Sequence, residues 1–193
     1  MKKINNFIKE YVNNLFNSIL STDMKNLNIA AETILKSIKQ NQKIFVCGNG
    51  GSAAIANHYV VDFLKFFRER TNYSPKMISL SDNIETITAI SNDIDYKYIF
   101  SYQAQSLCNK NDLIIIISSS GNSKNVIELL KFSKKNKIKT IGFSGFNGGY
   151  LKKNADISIH IKADNYGISE DAHHILMHSV LQYLIKYFGK KKN

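Results

Sequence analysis

The chain has 193 residues, 44% of them apolar and 21% charged, which is the size and composition of one globular domain that buries a substantial core. No apolar run reaches the roughly 18 residues that a membrane-spanning helix needs, and the charged N-terminal segment lacks the apolar centre of a signal peptide. The two cysteines form neither a disulfide framework nor a metal-binding spacing, so we expect a protein of the reducing cytoplasm without membrane contact.

The net charge of +11 comes almost entirely from lysine, since only Arg68 and Arg70 are arginines. A nucleic-acid surface more often combines arginine with clustered aromatic residues. The densest basic cluster, residues 190–192, is typical of a solvated chain end. We therefore expect no nucleic-acid partner, although a basic field would attract a phosphorylated substrate.

Two helices are predicted first, over residues 4–20 and 24–40, because apolar residues recur there at helical spacing. Ser21, Thr22 and Asp23 are candidate N-caps for the second helix. The sheet predicted below has enough covering helices of its own. Residues 1–40 are therefore expected to form an oligomerisation arm rather than to cover the core of their own subunit.

After this arm, short apolar strands alternate with helices. Strands are predicted at residues 44–47, 77–80, 113–117, 140–143 and 157–161, with helices at 53–67, 84–90, 96–107, 125–136 and 170–188. Apolar strands separated by helices indicate a parallel sheet covered on both faces. The predicted fold is a single α/β domain over residues 1–193, a three-layer αβα sandwich around a five-stranded parallel sheet.

Two strand–turn–helix junctions are rich in glycine and serine. Residues 47–52 read Cys-Gly-Asn-Gly-Gly-Ser, and residues 118–123 read Ser-Ser-Ser-Gly-Asn-Ser. Small residues let the backbone approach an anion, while amide groups at a helix start and serine hydroxyls donate hydrogen bonds to it. Both turns lie at the carboxyl ends of strands, where ligands bind in such sheets. The pattern predicts a site for the phosphate of a small molecule.

Other nucleotide or nucleophile motifs do not match these turns. The glycines of residues 48–51 break the Gly-x-Gly-x-x-Gly spacing of dinucleotide-binding proteins, and neither turn has the lysine of a P-loop. The serines of the second turn lack a Gly-x-Ser-x-Gly elbow, which argues against a nucleophilic serine.

On the helix after the first turn, His58 and Asp62 are four residues apart and so share one face. An imidazole and a carboxylate in that relation can bind a metal together or transfer a proton. On a helix surface the same spacing is more often a weak ion pair. Proximity to the predicted phosphate site favours the functional interpretation.

The last predicted helix begins with Glu170 and Asp171 and carries His173, His174 and His178. With a rotation of about 100° per residue, Glu170, His174 and His178 fall within one sector of the helix. His178 is a candidate catalytic residue on this spacing, whereas His173 or His174 is expected in the core. Glu170 and Asp171 could also be first-turn acids favoured by the helix dipole.

Asp93 ends the polar segment Ser91-Asn92-Asp93, which follows the carboxyl end of a predicted strand. It could cap the helix predicted from Tyr96 or face the ligand. Both interpretations stay open at this level.

Taken in order, these motifs resemble the phosphoheptose isomerases, which are sugar-isomerase-domain (SIS) proteins. The resemblance rests on residues 47–52 with His58, residues 91–93 with Tyr96 and Phe100, residues 118–126, residues 142–149, and residues 170–173 with His178. It covers nearly the whole chain. It implies a homotetramer with active sites between subunits that converts sedoheptulose 7-phosphate to D-glycero-D-manno-heptose 7-phosphate for surface polysaccharide.

The resemblance also implies roles for individual residues. It implies that the phosphate and sugar are bound by Asn49, Gly50, Ser52, Asp93, Ser118, Ser119, Ser120 and Ser123. It implies one zinc ion per subunit, and acid–base groups, at His58, Asp62, Glu170 and His178. Asp62 and Glu170 depart from the family pattern, which has glutamate and glutamine there, so this site has a shorter carboxylate and an added negative charge.

Moving a carbonyl between neighbouring carbons requires a base, an acid and stabilisation of an enediolate. We assign the proton shuttle to His178 with a carboxylate, Asp62 being the first choice and Glu170 the second. Two alternatives stay open: a non-catalytic SIS-domain regulator that binds a replication-initiation protein, and an isomerase of another phosphosugar. A pure adaptor has little use for His58, Asp62 and His178 together, which favours the isomerase.

Overall fold

The computed structural model describes residues 3–189, so the predicted solvated cluster at residues 190–192 lies outside the described residues. A five-stranded, all-parallel sheet forms the centre, in the order β2-β1-β3-β4-β5. Its strands are Lys43–Gly48 (β1), Lys76–Ser79 (β2), Leu113–Ser118 (β3), Lys139–Ser144 (β4) and Ile157–His160 (β5). The predicted α/β class and five-stranded parallel sheet are confirmed.

Helices enclose this sheet on both faces. In chain order they are Ile4–Leu20 (α1), Met24–Lys39 (α2), Gly51–Val61 (α3), Arg68–Arg70 (α4), Ile84–Asp93 (α5), Ile99–Leu107 (α6), Lys124–Lys135 (α7), Gly149–Asn154 (α8) and Tyr166–Phe188 (α9). A π-helical segment, Asp62–Phe67, joins α3 to α4, and a 3₁₀ turn, Tyr96–Tyr98, precedes α6. Of the helices within residues 3–189, none combines the length and the apolar character needed to cross a bilayer.

The side chains of β3 divide between two cores, because successive residues of a strand point to opposite faces. Leu113, Ile115 and Ile117 pack in the core that includes α2, α3 and α9. Ile114 and Ile116 pack in the core that includes α6 and α7. All five are fully buried, and each such side chain contributes about 1.5–3 kcal/mol of hydrophobic stabilisation.

The order of the strands reverses between β1 and β3. The chain passes from β1 to β2 on one side and returns to β3 on the other, and ligands bind outside the carboxyl ends of the strands at such a switch point. Gly48 at the end of β1 pairs with Ile117 near the end of β3. Residues 49–52 and 119–123 therefore leave the sheet side by side.

The last helix starts earlier than predicted. It begins at Tyr166, because the side chain of Asn165 caps it by accepting a hydrogen bond from the Ile168 amide at 3.0 Å. Glu170 and Asp171 consequently lie in the second turn, and the alternative that they are first-turn acids is wrong.

The segment before α6 also differs from its prediction. The 3₁₀ turn at Tyr96 is capped by Asp95, whose carboxylate accepts the Lys97 amide at 2.8 Å. The expected cap, Asp93, is instead the last residue of α5. Asp95 is the better placed of the two because a cap directly precedes the first helical residue.

The two N-terminal helices differ in their packing. Helix α2 packs in its own core through Ala31, Ile34 and Ile38, so part of residues 1–40 also covers the sheet of its own subunit. One face of the sheet needs this helix as a cover. Helix α1 lies on α9 and keeps a row of apolar side chains exposed: Ile4, Phe7, Ile8, Val12, Phe16 and Leu20. Subunit contact stays a prediction for α1.

Candidate active site

The loop after β1 is hydrogen-bonded, at the switch point, to the first turn of the helix that follows the second glycine–serine turn. Asn49, in the loop after β1, and Asn125, in the first turn of α7, exchange two hydrogen bonds of 2.9 Å each. The hydroxyl of Tyr96 donates to Asn49 Oδ1 at 3.0 Å. The two glycine–serine turns recognised in the sequence thus lie together at the switch point, where a sheet of this kind has its ligand crevice.

The N-cap residues of the two helices that follow these loops make no side-chain cap hydrogen bond. Gly50, at the N-cap of α3, has φ +55°, a conformation that favours glycine. Ser123, at the N-cap of α7, makes no side-chain cap hydrogen bond. First-turn amide groups at a helix start attract anions. Together with the buried hydroxyl of Ser52, the two helix starts present donors suited to a phosphate.

Three consecutive serines end β3 and enter the second loop. Ser118 Oγ accepts the Gly121 amide at 3.2 Å and Ser120 Oγ accepts the Asn122 amide at 3.3 Å. Because each hydroxyl oxygen acts here as an acceptor, its O–H can still donate to a ligand. Ser119 Oγ is buried and, within the described part of the chain, has no hydrogen-bond partner.

A third loop, residues 145–149, supports this serine loop. The Gly145 amide donates to the Ser119 carbonyl at 2.8 Å. Gly121 has φ +65°, and a Cβ there would lie 2.7 Å from the carbonyl carbon of Gly148. Glycine at these positions therefore lets the two loops pack closely, a role that the sequence did not reveal.

A cluster of imidazole and carboxylate groups joins α3 to α9. The Nε2 atoms of His58 and His178 lie 3.1 Å apart, and the Asp62 carboxylate approaches His178 Nε2 to 3.2 Å and His58 Nε2 to 3.6 Å. Asp62 is only 3% exposed, whereas the imidazoles reach solvent. The structure thus brings together the three residues whose joint action the sequence suggested.

Asp62 is the first residue of the π-helical segment, a rare geometry that often occurs at functional sites. Phe63 and Phe67 anchor the segment in the core. Asp62 Oδ2 is buried and lacks a hydrogen bond of acceptable geometry, despite its 3.2 Å approach to His178 Nε2. A buried carboxylate oxygen in this state favours a cationic or protonated partner.

His174 completes a group of three imidazoles. Its ring centroid lies 4.7 Å from that of His58 and 4.3 Å from that of His178, and one nitrogen of each residue lies within 4.8 Å of the others. Burial lowers the pKa of His174, and the two neighbouring imidazoles lower it further, which favours the neutral form that binds metals. His174 shares a helix sector with His178, but the sequence did not distinguish it from a core histidine.

These groups fit a divalent transition-metal ion. Zinc binds imidazole nitrogens and carboxylate oxygens. Within residues 3–189, His174 Nε2 and Asp62 Oδ2 are buried without hydrogen-bond partners, and both a free imidazole nitrogen and a buried carboxylate oxygen favour a nearby cation. The chain therefore contains a candidate three-histidine metal site, formed by His58, His174 and His178, with Asp62 beside it.

The side chain of Glu170, a residue of α9, lies against the first residue of α3, Gly51. A Cβ on Gly51 would come within 2.6 Å of Glu170 Cδ, so the carboxylate occupies the space that the missing side chain leaves. Burial raises the pKa of Glu170, and the neighbouring Asp171 raises it further. Glu170 is not part of the three-histidine group, and its assignment as a ligand stays a prediction.

Two other residues of the prediction have different surroundings. His173 is fully buried against Phe143, with ring centroids 6.0 Å apart, and burial lowers its pKa to about 4. It is the expected core histidine. Asp93 is exposed and accepts a hydrogen bond from Asn92 at 2.8 Å. Tyr96, three residues later, is the residue of this segment that reaches Asn49.

Comparison with known proteins gives a consistent family. Residues 7–145 match the family model described as SIS domain. The chain is 33% identical over 156 residues to a phosphoheptose isomerase of Campylobacter concisus, covering 81% of this chain and 82% of the relative. It is 36% identical over 173 residues to a probable phosphoheptose isomerase of Thermoplasma acidophilum, covering 89% and 94%.

A solved structure shows the same similarity at the level of the fold. The structure of a phosphoheptose isomerase from Francisella tularensis matches with a TM-score of 0.86 and 26% identity, covering 95% of this chain and 96% of the other. The phosphoheptose isomerase from Neisseria gonorrhoeae matches with a TM-score of 0.84 at the same identity, covering 94% and 97%. The similarity therefore includes the N-terminal helices and the last helix.

Proposed function

Because the chain belongs to the SIS-domain family and is a phosphosugar isomerase, we propose that it interconverts sedoheptulose 7-phosphate and D-glycero-D-manno-heptose 7-phosphate. The product would supply heptose for a surface polysaccharide such as lipopolysaccharide or capsule. The observation that carries this proposal is the contact of His58, Asp62 and His178 between two helices, one of which begins at the glycine–serine crevice. A non-catalytic regulator would not need that cluster.

The crevice would hold the phosphate end of the substrate. Its donors are the serine hydroxyls and the first-turn amides of α3 and α7, which together provide several hydrogen bonds without a lysine. The residues that we assign to the phosphate and the sugar are Asn49, Gly50, Ser52, Asp93, Ser118, Ser119, Ser120 and Ser123. Remote binding of the phosphate orients the reacting carbons and lowers the entropy cost of the reaction.

Proton transfer is assigned to His178. The reaction removes a proton from the carbon beside the carbonyl and returns one to its neighbour through an enediol, so one group must act as base and then as acid. His178 Nε2 lies 3.2 Å from the buried Asp62 carboxylate, which would stabilise the imidazolium form. Glu170 is the second candidate, because burial raises its pKa and favours a carboxyl group that can give up or accept a proton.

A metal ion fits the histidine cluster, and we propose one zinc per subunit. Bound there, it would polarise the substrate oxygens and stabilise the developing enediolate. His58 and His178 are the shared ligands, completed by Asp62 and Glu170 as first expected or by His174. A nitrogen that binds a metal cannot also carry the proton, so His178 can serve in only one of these roles at a time.

We also propose a homotetramer in the cytoplasm with active sites between subunits. The exposed apolar row of α1 is the surface that supports oligomerisation, since contiguous apolar patches of this kind mark protein contacts. The hydroxyl of Tyr11 on the same helix donates to Asp171 at 2.7 Å, next to Glu170. The arm therefore contacts the segment of α9 that carries a candidate site residue.

The test of the function is incubation with sedoheptulose 7-phosphate in deuterium oxide. We expect an aldoheptose phosphate that carries deuterium at the carbon next to the carbonyl. His178→Gln should abolish turnover with folding intact. The matched control is His160→Gln, which should retain activity. His160 contacts Ser144 and lies outside the histidine cluster. Full activity of His178→Gln would refute the proton-transfer assignment.

The phosphate assignment has a separate test. Ser120→Ala removes one hydroxyl donor and should raise the KM for the phosphorylated ketose about tenfold, the effect of one charge-assisted hydrogen bond. An unchanged KM would exclude Ser120 from phosphate binding.

A further inference from the structure

We propose that Asn125 is a positioning residue, which fixes the side-chain amide of Asn49 so that Asn49 can donate to the substrate but cannot accept from it. This inference rests on the proposed function, because it specifies how the crevice recognises its phosphosugar. Neither composition nor spacing indicates it; it follows from a closed set of hydrogen bonds at the switch point.

Asn125 is 1% exposed and has a fixed orientation. The Val126 amide donates to Asn125 Oδ1 at 2.9 Å. A backbone N–H can only donate, so the atom that it meets must be the oxygen, and the NH₂ end of Asn125 must point the other way. The start of α7 therefore sets this amide in one of its two orientations.

The orientation of Asn125 in turn fixes that of Asn49 across the crevice. Asn125 Nδ2 donates to Asn49 Oδ1, and Asn49 Nδ2 donates to Asn125 Oδ1, both at 2.9 Å. With Asn125 fixed, a flipped Asn49 would place two NH₂ groups and two oxygens face to face. The Tyr96 hydroxyl at 3.0 Å from Asn49 Oδ1 adds a second donor to the same oxygen.

Asn49 keeps one hydrogen-bonding group for a ligand. Its Oδ1 has two lone pairs, and both are directed at donors, from Asn125 and Tyr96. Its Nδ2 has two hydrogens, of which Asn125 takes one. Among residues 3–189, no partner takes the other N–H, which belongs to a half-buried residue directly after β1. Asn49 therefore recognises an oxygen that accepts hydrogen bonds, such as a carbonyl, enediolate or phosphate oxygen, rather than a hydroxyl that must donate.

The decisive experiment is a double-mutant cycle between these two residues, with kcat/KM as the first readout. Asn125→Asp keeps the shape and the acceptor for the Val126 amide, but its second oxygen cannot donate and repels Asn49 Oδ1. We expect kcat/KM to fall about tenfold or more, as for the loss of an oriented hydrogen bond. In an Asn49→Ala background the same change should lower kcat/KM much less, by only the repulsion between the new carboxylate and the anionic substrate, since a positioning residue acts through the residue that it holds.

The split between KM and kcat identifies the oxygen that Asn49 contacts. A change confined to KM assigns the contact to a group that is bound equally throughout the reaction, such as the phosphate, whereas a change in kcat assigns it to an oxygen that gains charge. Both results support positioning. Independent, multiplying effects of the two substitutions would overturn it, as would unchanged kinetics of Asn125→Asp.

Two further measurements keep the tests separate. The affinity of the same variants for sedoheptulose 7-phosphate is measured by calorimetry. If the wild-type protein binds this sugar phosphate but does not turn it over, the proposed function is refuted. The coupling between Asn49 and Asn125 can still be measured from the affinities. Thermal unfolding of each variant shows whether it is folded. If Asn125→Asp does not fold, Asn125→Ser replaces it, because serine keeps an oxygen near the Val126 amide and removes the donor to Asn49.

Discussion

The position of Glu170 leads to a specific prediction about Gly51. A Cβ on Gly51 would lie 2.6 Å from Glu170 Cδ, whereas ordinary contact begins at 3.4 Å, so in Gly51→Ala the carboxylate must retreat by 0.8 Å or more. A shift of about 1 Å in a group that takes part in the chemistry costs up to about 100-fold in rate. We therefore expect kcat to fall between about 10-fold and 100-fold.

The stability of this variant should not follow its activity. Gly51 has no positive φ, and the atoms that must move form the end of a flexible side chain. Alanine at the start of a helix should raise the free energy of unfolding by up to about 1 kcal/mol, because it restricts the unfolded chain. The expected variant is as stable as the wild type or more so, and slower.

Isomerase kinetics with the phosphorylated ketose and urea unfolding measure the two effects. The control is the Glu170→Ala background, in which an alanine at position 51 has room and should not lower kcat further. Wild-type kcat in a folded Gly51→Ala variant would refute a catalytic role of Glu170 from this position. The same role would be refuted if Gly51→Ala lowered kcat equally in the wild-type and Glu170→Ala backgrounds.

Three further outcomes are expected. Because the pKa of His173 falls from 6.5 to about 4 on folding, the unfolded chain takes up the proton first, so stability is lost as pH falls through this window. From pH 7 to pH 5 the loss is about 2 kcal/mol, and urea unfolding should show a smaller loss in His173→Gln. Gly121→Ala should lower the free energy of unfolding by about 3 kcal/mol, since it combines a positive φ with a clash against the backbone of Gly148; an unchanged urea midpoint would contradict the packing described. In Co²⁺ titrations monitored by visible absorption, His174→Gln should weaken binding at least about tenfold while Glu170→Gln leaves it unchanged, and the reverse pattern would make Glu170 the ligand.

Much of the fold was predictable because it depends on local patterns. Five apolar strands separated by helices are sufficient to indicate a parallel sheet, and the observed strands agree with the predictions to within about one residue. The ends of the helices were predicted less accurately, because side-chain caps decide where a helix begins. Asn165 starts α9 a turn before the acidic pair that marked it in the sequence, and α2 became part of the core although its pattern is also that of an interface helix.

The contacts within the candidate site were only partly predictable from the sequence. The spacing of His58 and Asp62 indicated a shared face, and the structure puts both beside His178. It also adds His174, which the sequence left without a role. Spacing along one helix cannot show which residue of another helix will lie opposite, because that depends on the angle and register at which the helices pack.

The sequence by itself determined the parallel sheet, the two glycine–serine turns at its carboxyl edge and the family, because periodicity and small residues act over a few neighbouring positions. Only the tertiary structure decided that His58 meets His178 across 120 residues of chain and that Asn125 holds Asn49. Such contacts are formed when helices from distant parts of the sequence pack on the same sheet. Their geometry therefore depends on the whole core rather than on any one segment.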